Sequence, residues 1–152
     1  MPTKECVSRL LCRLWALPVT TVGLSLAMAA CYGGRVRVVG GVVEAYGPLL
    51  RWGLRWLVPV PGGAEAITLG HVVLGRDARA LRTTRAHERV HVTQYERWGP
   101  LFLPAYFASS LWALATGGHP YFDNVFEREA WSSTRYFPAT TTRVFDSSSK
   151  AR

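Results

Sequence analysis

The stretch Thr83–Pro100, TTRAHERVHVTQYERWGP, decides how the rest of this chain is read. It closes a run from about Asp77 to Trp98 that is rich in alanine and arginine and contains no proline. That is the composition of a helix, and Gly99-Pro100 supplies its stop. On a wheel of about 100° per residue, His91 falls about 40° from His87 and Gln94 about 20° to the other side, so the three share one face. Arg82, Arg85 and Arg89 fall on the opposite face, where they can reach solvent or lipid phosphates.

Two histidines four apart on one helical face can both offer an imidazole nitrogen to one ion, and zinc takes such nitrogens at about 2.0–2.1 Å. Glu88 is displaced about 100° around the helix, beside His87. It can flank the ion without binding it and accept a proton from metal-bound water, which is the logic of the HExxH zinc peptidase motif. A catalytic zinc needs a third protein ligand and an open position. The remaining histidines are His71 and His119. His71 sits inside a strand-like run, where a structural role is the ordinary one. The extended motif HExxHxxGxxH is absent, because Gln94 and Arg97 stand at its glycine and last histidine. Cysteine cannot complete the site, since no cysteine follows Cys31. A carboxylate is therefore the third ligand to look for.

Downstream, His119–Phe137 reads HPYFDNVFEREAWSSTRYF. Asp123 or Asn124 can cap a helix there, with Glu127 and Glu129 in its first turns. This region, together with the HExxH helix, resembles the gluzincin metallopeptidases, including the CAAX-type membrane proteases and the small minigluzincins. In that clan a second helix follows the HExxH helix and its glutamate completes the site, in a pattern like E-x-[EQ]-A-[DN]. Glu127-Arg128-Glu129-Ala130 matches the first four positions, whereas Trp131 replaces the usual Asp or Asn. The resemblance covers roughly residues 66–136. It implies zinc held by His87, His91 and Glu127, with Glu88 as general base. Glu129 is the competing ligand, and a capping carboxylate is the structural alternative for Glu127. An oxyanion-stabilising partner is expected from among Tyr106, His119, Tyr121 and Tyr136.

The flanking sequence sets the context. Leu14–Tyr32 carries no charge over nineteen residues and follows Lys4, Arg9 and Arg13. It is long enough to cross a bilayer as a helix. It reads as a retained signal anchor, a signal peptide cleaved near Ala27-Met28-Ala29, a lipoprotein signal ending at Cys31, or a buried helix. Arg35 and Arg37 nearly balance the preceding charges, so orientation is not readable. Arg35–Tyr46 reads as a hairpin turning at Gly40-Gly41. Leu50, Leu54 and Leu57 recur at helical spacing among Arg51, Trp52, Arg55 and Trp56, up to Pro59 and Pro61, which suits either a membrane interface or the domain core. Ala66–Gly75 reads as one strand, able to align an extended substrate by edge pairing. Trp98–Thr116 is a second uncharged run, but a crossing there would put His91 and Glu127 on opposite sides of the bilayer. It is therefore expected as a core helix, or one that dips into a membrane face and returns. Pro138 onward reads as a disordered tail.

The expected architecture is α+β: an N-terminal membrane helix over residues 1–32, then a small β-hairpin or sheet with a compact helical zincin-like core over residues 33–137. A disordered tail over residues 138–152 completes it. The expected activity is zinc-dependent hydrolysis of peptide bonds by a protein held at the membrane by one pass of its N-terminal segment, or secreted if that segment is cleaved. The expected partners are a peptide or protein substrate and membrane lipid. A non-catalytic adaptor using the basic helix face on a membrane surface is the alternative. The net charge of +8 is spread along the chain without a nucleic-acid motif, so no nucleic-acid partner is expected.

Overall fold

Alternation of apolar side chains across a four-stranded sheet organises the molecule. The computed structural model describes residues 4–58 and 62–134, within which the elements are α1 (Lys4–Ala27), β1 (Arg35–Val39), β2 (Val42–Tyr46), α2 (Pro48–Trp56), β3 (Ala66–Leu69), β4 (Val72–Gly75), α3 (Ala78–Trp98), α4 (Phe102–Ala115) and α5 (Val125–Thr134). The fold is α+β. Pro59, Pro61, Tyr136 and the tail from Pro138 lie outside the described residues.

The strands are ordered β1-β2-β4-β3. β2 and β4 pair in parallel, and the two outer pairings are antiparallel. Gly40 and Gly41 turn the first hairpin with φ of 54° and 78°, a backbone only glycine adopts freely. The expectation of a single strand over Ala66–Gly75 is corrected: this segment is a second hairpin. Leu69 pairs with Val72 across Gly70-His71, and Gly70 takes φ 62°. The same two-residue turn recurs, with one glycine in place of two.

Successive strand residues point to opposite faces, and each face has its own cover. Ala45, Val72 and Leu74, flanked by Val43, Ile67 and Leu69, pack with Ala27 and Ala30 at the α1 end. Val42 and Val73, flanked by Tyr46 and Ala66, pack with Leu81 and Val92 of α3. The sheet is thus a middle layer between α1 and α3. Beyond it, Ala16 and Val19 of α1 meet Tyr95, Phe102 and Phe126 directly.

Residues Leu10–Cys31 form a helical segment long and apolar enough to cross a membrane. The second uncharged run is divided. After α3 ends at Trp98 a 3-10 turn over Gly99–Leu101 leads into α4. α4 buries Phe102 and Ala113 but leaves Phe107, Leu111, Trp112 and Leu114 exposed. It is fourteen residues long, about 21 Å, and returns the chain to α5. In α2, Leu50 and Leu54 are buried while Trp52, Trp56 and Leu57 are exposed.

Candidate metal centre

Asp77 starts α3. Its extended backbone and its carboxylate, which accepts from the N–H groups of Arg79 at 2.9 Å and Ala80 at 2.8 Å, form an N-cap. This cap satisfies donors that have no partner within the helix. From there the 3.6-residue period turns His87, Glu88, His91 and Gln94 inward, all of them buried. The opposite face is committed differently from expectation. Arg85 donates to Glu44 of β2 at 2.7 Å, and Arg89 donates to the carbonyls of Val39 and Gly40. These two arginines fasten α3 to the first hairpin, while Arg82 is exposed. Glu44 also accepts from Arg37 at 2.7 Å. Burial alone would raise the Glu44 carboxyl, but the hydrogen bonds and charges of Arg85 and Arg37 hold it below the usual range.

The third residue of the cluster arrives from α5. Asn124 caps that helix by accepting from the Phe126 N–H at 2.9 Å. Its side-chain amide donates to the Tyr106 carbonyl and to Ser110 Oγ of α4. The cap therefore fixes the start of α5 against α4 and aims Glu127, in the first turn, at the histidines. His87 Nε2 lies 3.0 Å from His91 Nε2. Glu127 Oε2 lies 3.1 Å from His87 Nε2, and Oε1 lies 3.4 Å from His91 Nε2. Donor atoms placed tetrahedrally at about 2.0–2.1 Å from one ion sit about 3.4 Å apart, so the cluster is close to that spacing. Glu127 Oε2 is buried and accepts no hydrogen bond among the described residues, a position that a cation would satisfy. Two imidazoles and one carboxylate form a borderline donor set suited to zinc.

Without a metal, the cluster holds a proton tightly. Burial would lower the His91 pKa, but the hydrogen bond and charge of Glu127 outweigh it and push it up to about 9. The Glu127 carboxyl is opposed by burial and held far below its ordinary value by both imidazoles. Both effects report a strongly cation-attracting point.

The surrounding residues orient this cluster. Gln94 Oε1 lies 2.8 Å from His91 Nδ1, which makes Nδ1 the donor and leaves Nε2 turned to the cluster. The Gln94 amide in turn donates to the Phe126 carbonyl and to Glu129 at 2.8 Å. Glu129 thus faces Gln94 and Arg97, away from the two imidazole Nε2 atoms. Tyr106 donates to Glu127 Oε1 at 2.7 Å. Tyr121 faces the same carboxylate; burial first, then the Glu127 charge, pushes both phenols well above their ordinary range. His87 differs from His91: its Nδ1 is buried without a hydrogen-bond partner, and the Trp131 ring stands 4.2 Å from its own.

Glu88 lies beside the cluster, buried, and its carboxylate accepts from the Thr68 hydroxyl of β3 at 2.6 Å. Thr68 was not singled out in the sequence. The available signal was its inward position on a strand whose alternate residues face the motif helix. The other candidates lie elsewhere. His71 sits in the β3–β4 turn, 2.9 Å from Glu96. His119 is exposed, and its Nδ1 accepts from the N–H groups of Tyr121 and Phe122. Comparison of the chain with protein-family models, curated proteins and solved structures returned no match.

Proposed function

We propose that this protein is a zinc-dependent peptidase attached to a membrane through α1. The observation that carries this reading is the convergence of His87, His91 and Glu127, all buried, with their donor atoms within 4.8 Å of one another and Glu88 alongside. Zinc held there would supply a Lewis acid and lower the pKa of a coordinated water to about 7. Glu88, anchored by Thr68, accepts the water proton and returns it to the leaving amine. Gln94 keeps His91 in the required tautomer, and Tyr106 holds the Glu127 carboxylate. With the Tyr106 proton given to Glu127, Tyr121 is the phenol we assign to donate to a developing oxyanion. The outer edge of β3 carries no strand partner among the described residues, which leaves its backbone available to an extended peptide. An adaptor using the arginine face has less to work with, since Arg85 and Arg89 are engaged within the fold.

The test measures bound zinc and cleavage of a peptide library with the full chain. His87→Ala and Glu127→Ala are expected to lose the metal, while Glu129→Ala and Glu88→Gln keep it. Glu88→Gln is expected to lower cleavage by about 10²- to 10⁴-fold. Wild-type protein that binds no stoichiometric zinc would overturn the reading; zinc retained without cleavage would reduce it to a structural site.

A further inference from the structure

We propose that α1 stays in the mature chain and lies flat along a bilayer surface, its inner side closing the domain and its outer side in the acyl chains. This rests on packing that does not involve the metal cluster.

The inner side is engaged over most of the helix. A Cβ on Gly99 would run into the Trp15 ring, and one on Gly70 into Thr20. Ala16 and Val19 enter the aromatic cluster with Tyr95 and Phe102. Thr20 Oγ1 accepts from the His71 N–H at 3.1 Å. Gly23 lies so close that a Cβ there would be 2.8 Å from the Leu69 carbonyl and from Val72. Ala27 and Ala30 then cover Ala45 and Leu74. From Trp15 to Ala30 the docked length is about 22 Å, most of the roughly 30 Å thickness of a hydrocarbon core.

The outer side is apolar and open. Leu10, Leu14, Leu17, Leu24, Leu26 and Met28 are between 43% and 68% exposed. The hydroxyls of Thr21 and Ser25 on that side donate to the helix's own carbonyls, those of Pro18 and Thr21. They therefore ask nothing of water. A row of exposed large apolar side chains along one side of a docked helix marks a contact surface.

The expected single crossing and the expected cleavage both conflict with this arrangement. A crossing helix would carry the attached sheet into hydrocarbon, with the edges of β1 and β3 that have no strand partner among the described residues and the Arg37–Glu44–Arg85 cluster. Unpaired backbone and charges are not tolerated at that depth. Cleavage near Ala27-Met28-Ala29 would strip the cover from Ala45, Val72 and Leu74. A helix lying in the interface keeps the sheet in water and its own outer side in lipid. The charge balance favours lipid over a second copy: the chain carries +8, which suits an anionic membrane and repels its own kind.

The experiment uses the full chain with an epitope at each terminus, in sealed right-side-out and inside-out vesicles treated with protease. The proposal expects both epitopes to be cut from the same side only, on a full-length chain that stays membrane-bound through a high-salt wash. Epitopes cut from opposite sides, loss of the N-terminal epitope, or a soluble dimer would each overturn it. The double variant Leu17→Glu/Leu24→Glu is expected to move to the soluble fraction as a folded monomer with an unchanged thermal midpoint. Continued membrane attachment or unfolding of that variant would overturn it as well. None of these outcomes depends on peptidase activity.

Discussion

At the scale of single residues, Gln94 shows what a local reading of sequence reaches and where it stops. The helical wheel places it on the histidine face, but its use depends on Glu129 and the Phe126 carbonyl, which α5 delivers from more than thirty positions away. Spacing also cannot separate Glu127 from Glu129 as a ligand without the resemblance to a known clan. In the structure the Asn124 cap sets the rotation of α5, turning Glu127 to the imidazoles and Glu129 to Gln94. Loss of a group that orients a metal-bound histidine typically weakens metal affinity by about 10- to 100-fold. Gln94→Met, which keeps length and removes the acceptor for His91 Nδ1, is expected to weaken zinc binding by that amount, whereas Glu129→Gln, which leaves that acceptor and a partner for the Gln94 amide in place, should retain most of it. A chelator-competition titration measures both. Equal affinities for wild type and Gln94→Met would mean that His91 needs no orientation from this side.

At the scale of elements, the reading of α3 divides by face. Its start at Asp77, its end at Gly99-Pro100 and its inward histidines follow from capping chemistry and a 3.6-residue period. The fate of its arginines does not, because their partners lie on a hairpin about forty residues upstream. Glu44 is the key to that contact, a buried carboxylate shared by Arg37 and Arg85. Glu44→Gln leaves both guanidinium groups without their anion, and a cost of about 1 to 3 kcal/mol is expected at pH 7. The pH dependence follows from the lowered pKa of Glu44. A carboxylate held below its unfolded value of about 4.3 contributes stability above that pH and loses it as the pH falls further. The gap between denaturant melts of the two proteins should therefore be full above about pH 4.3 and narrow as the pH falls below it, closing only beneath the lowered pKa of folded Glu44. A gap that does not narrow as the pH falls would place the cost in packing instead of charge. The second hairpin shows the opposite failure: local turn chemistry was present at Gly70, but two short β-branched runs around a single glycine also read as one continuous strand.

At the scale of the whole molecule, hydropathy marks α1 as apolar and cannot say what each side of it meets. The finer signal is the recurrence of small residues, Ala16, Gly23, Ala27 and Ala30, which share one side of the helix wheel and let its backbone approach the sheet. A segment that reads as separable from the domain is thereby one of the two layers that close it. Two glycines test this directly. In an open helix interior, Gly→Ala stabilises by about 1 kcal/mol, because alanine has less backbone freedom to lose. Gly53 in α2 meets that condition, since a Cβ there touches only Leu57 at 3.9 Å, so Gly53→Ala should raise stability by up to about that amount. Gly23→Ala has the same helix propensity gain but drives a methyl group into the Leu69 carbonyl and Val72. Overpacking of this kind costs about 1 to 3 kcal/mol, which outweighs the gain. The two substitutions are thus expected to shift the thermal midpoint in opposite directions, measured side by side in the same detergent or vesicle preparation. If Gly23→Ala stabilises as Gly53→Ala does, α1 does not press against the sheet, and the three-layer arrangement that orders β3, Thr68 and Glu88 loses its support.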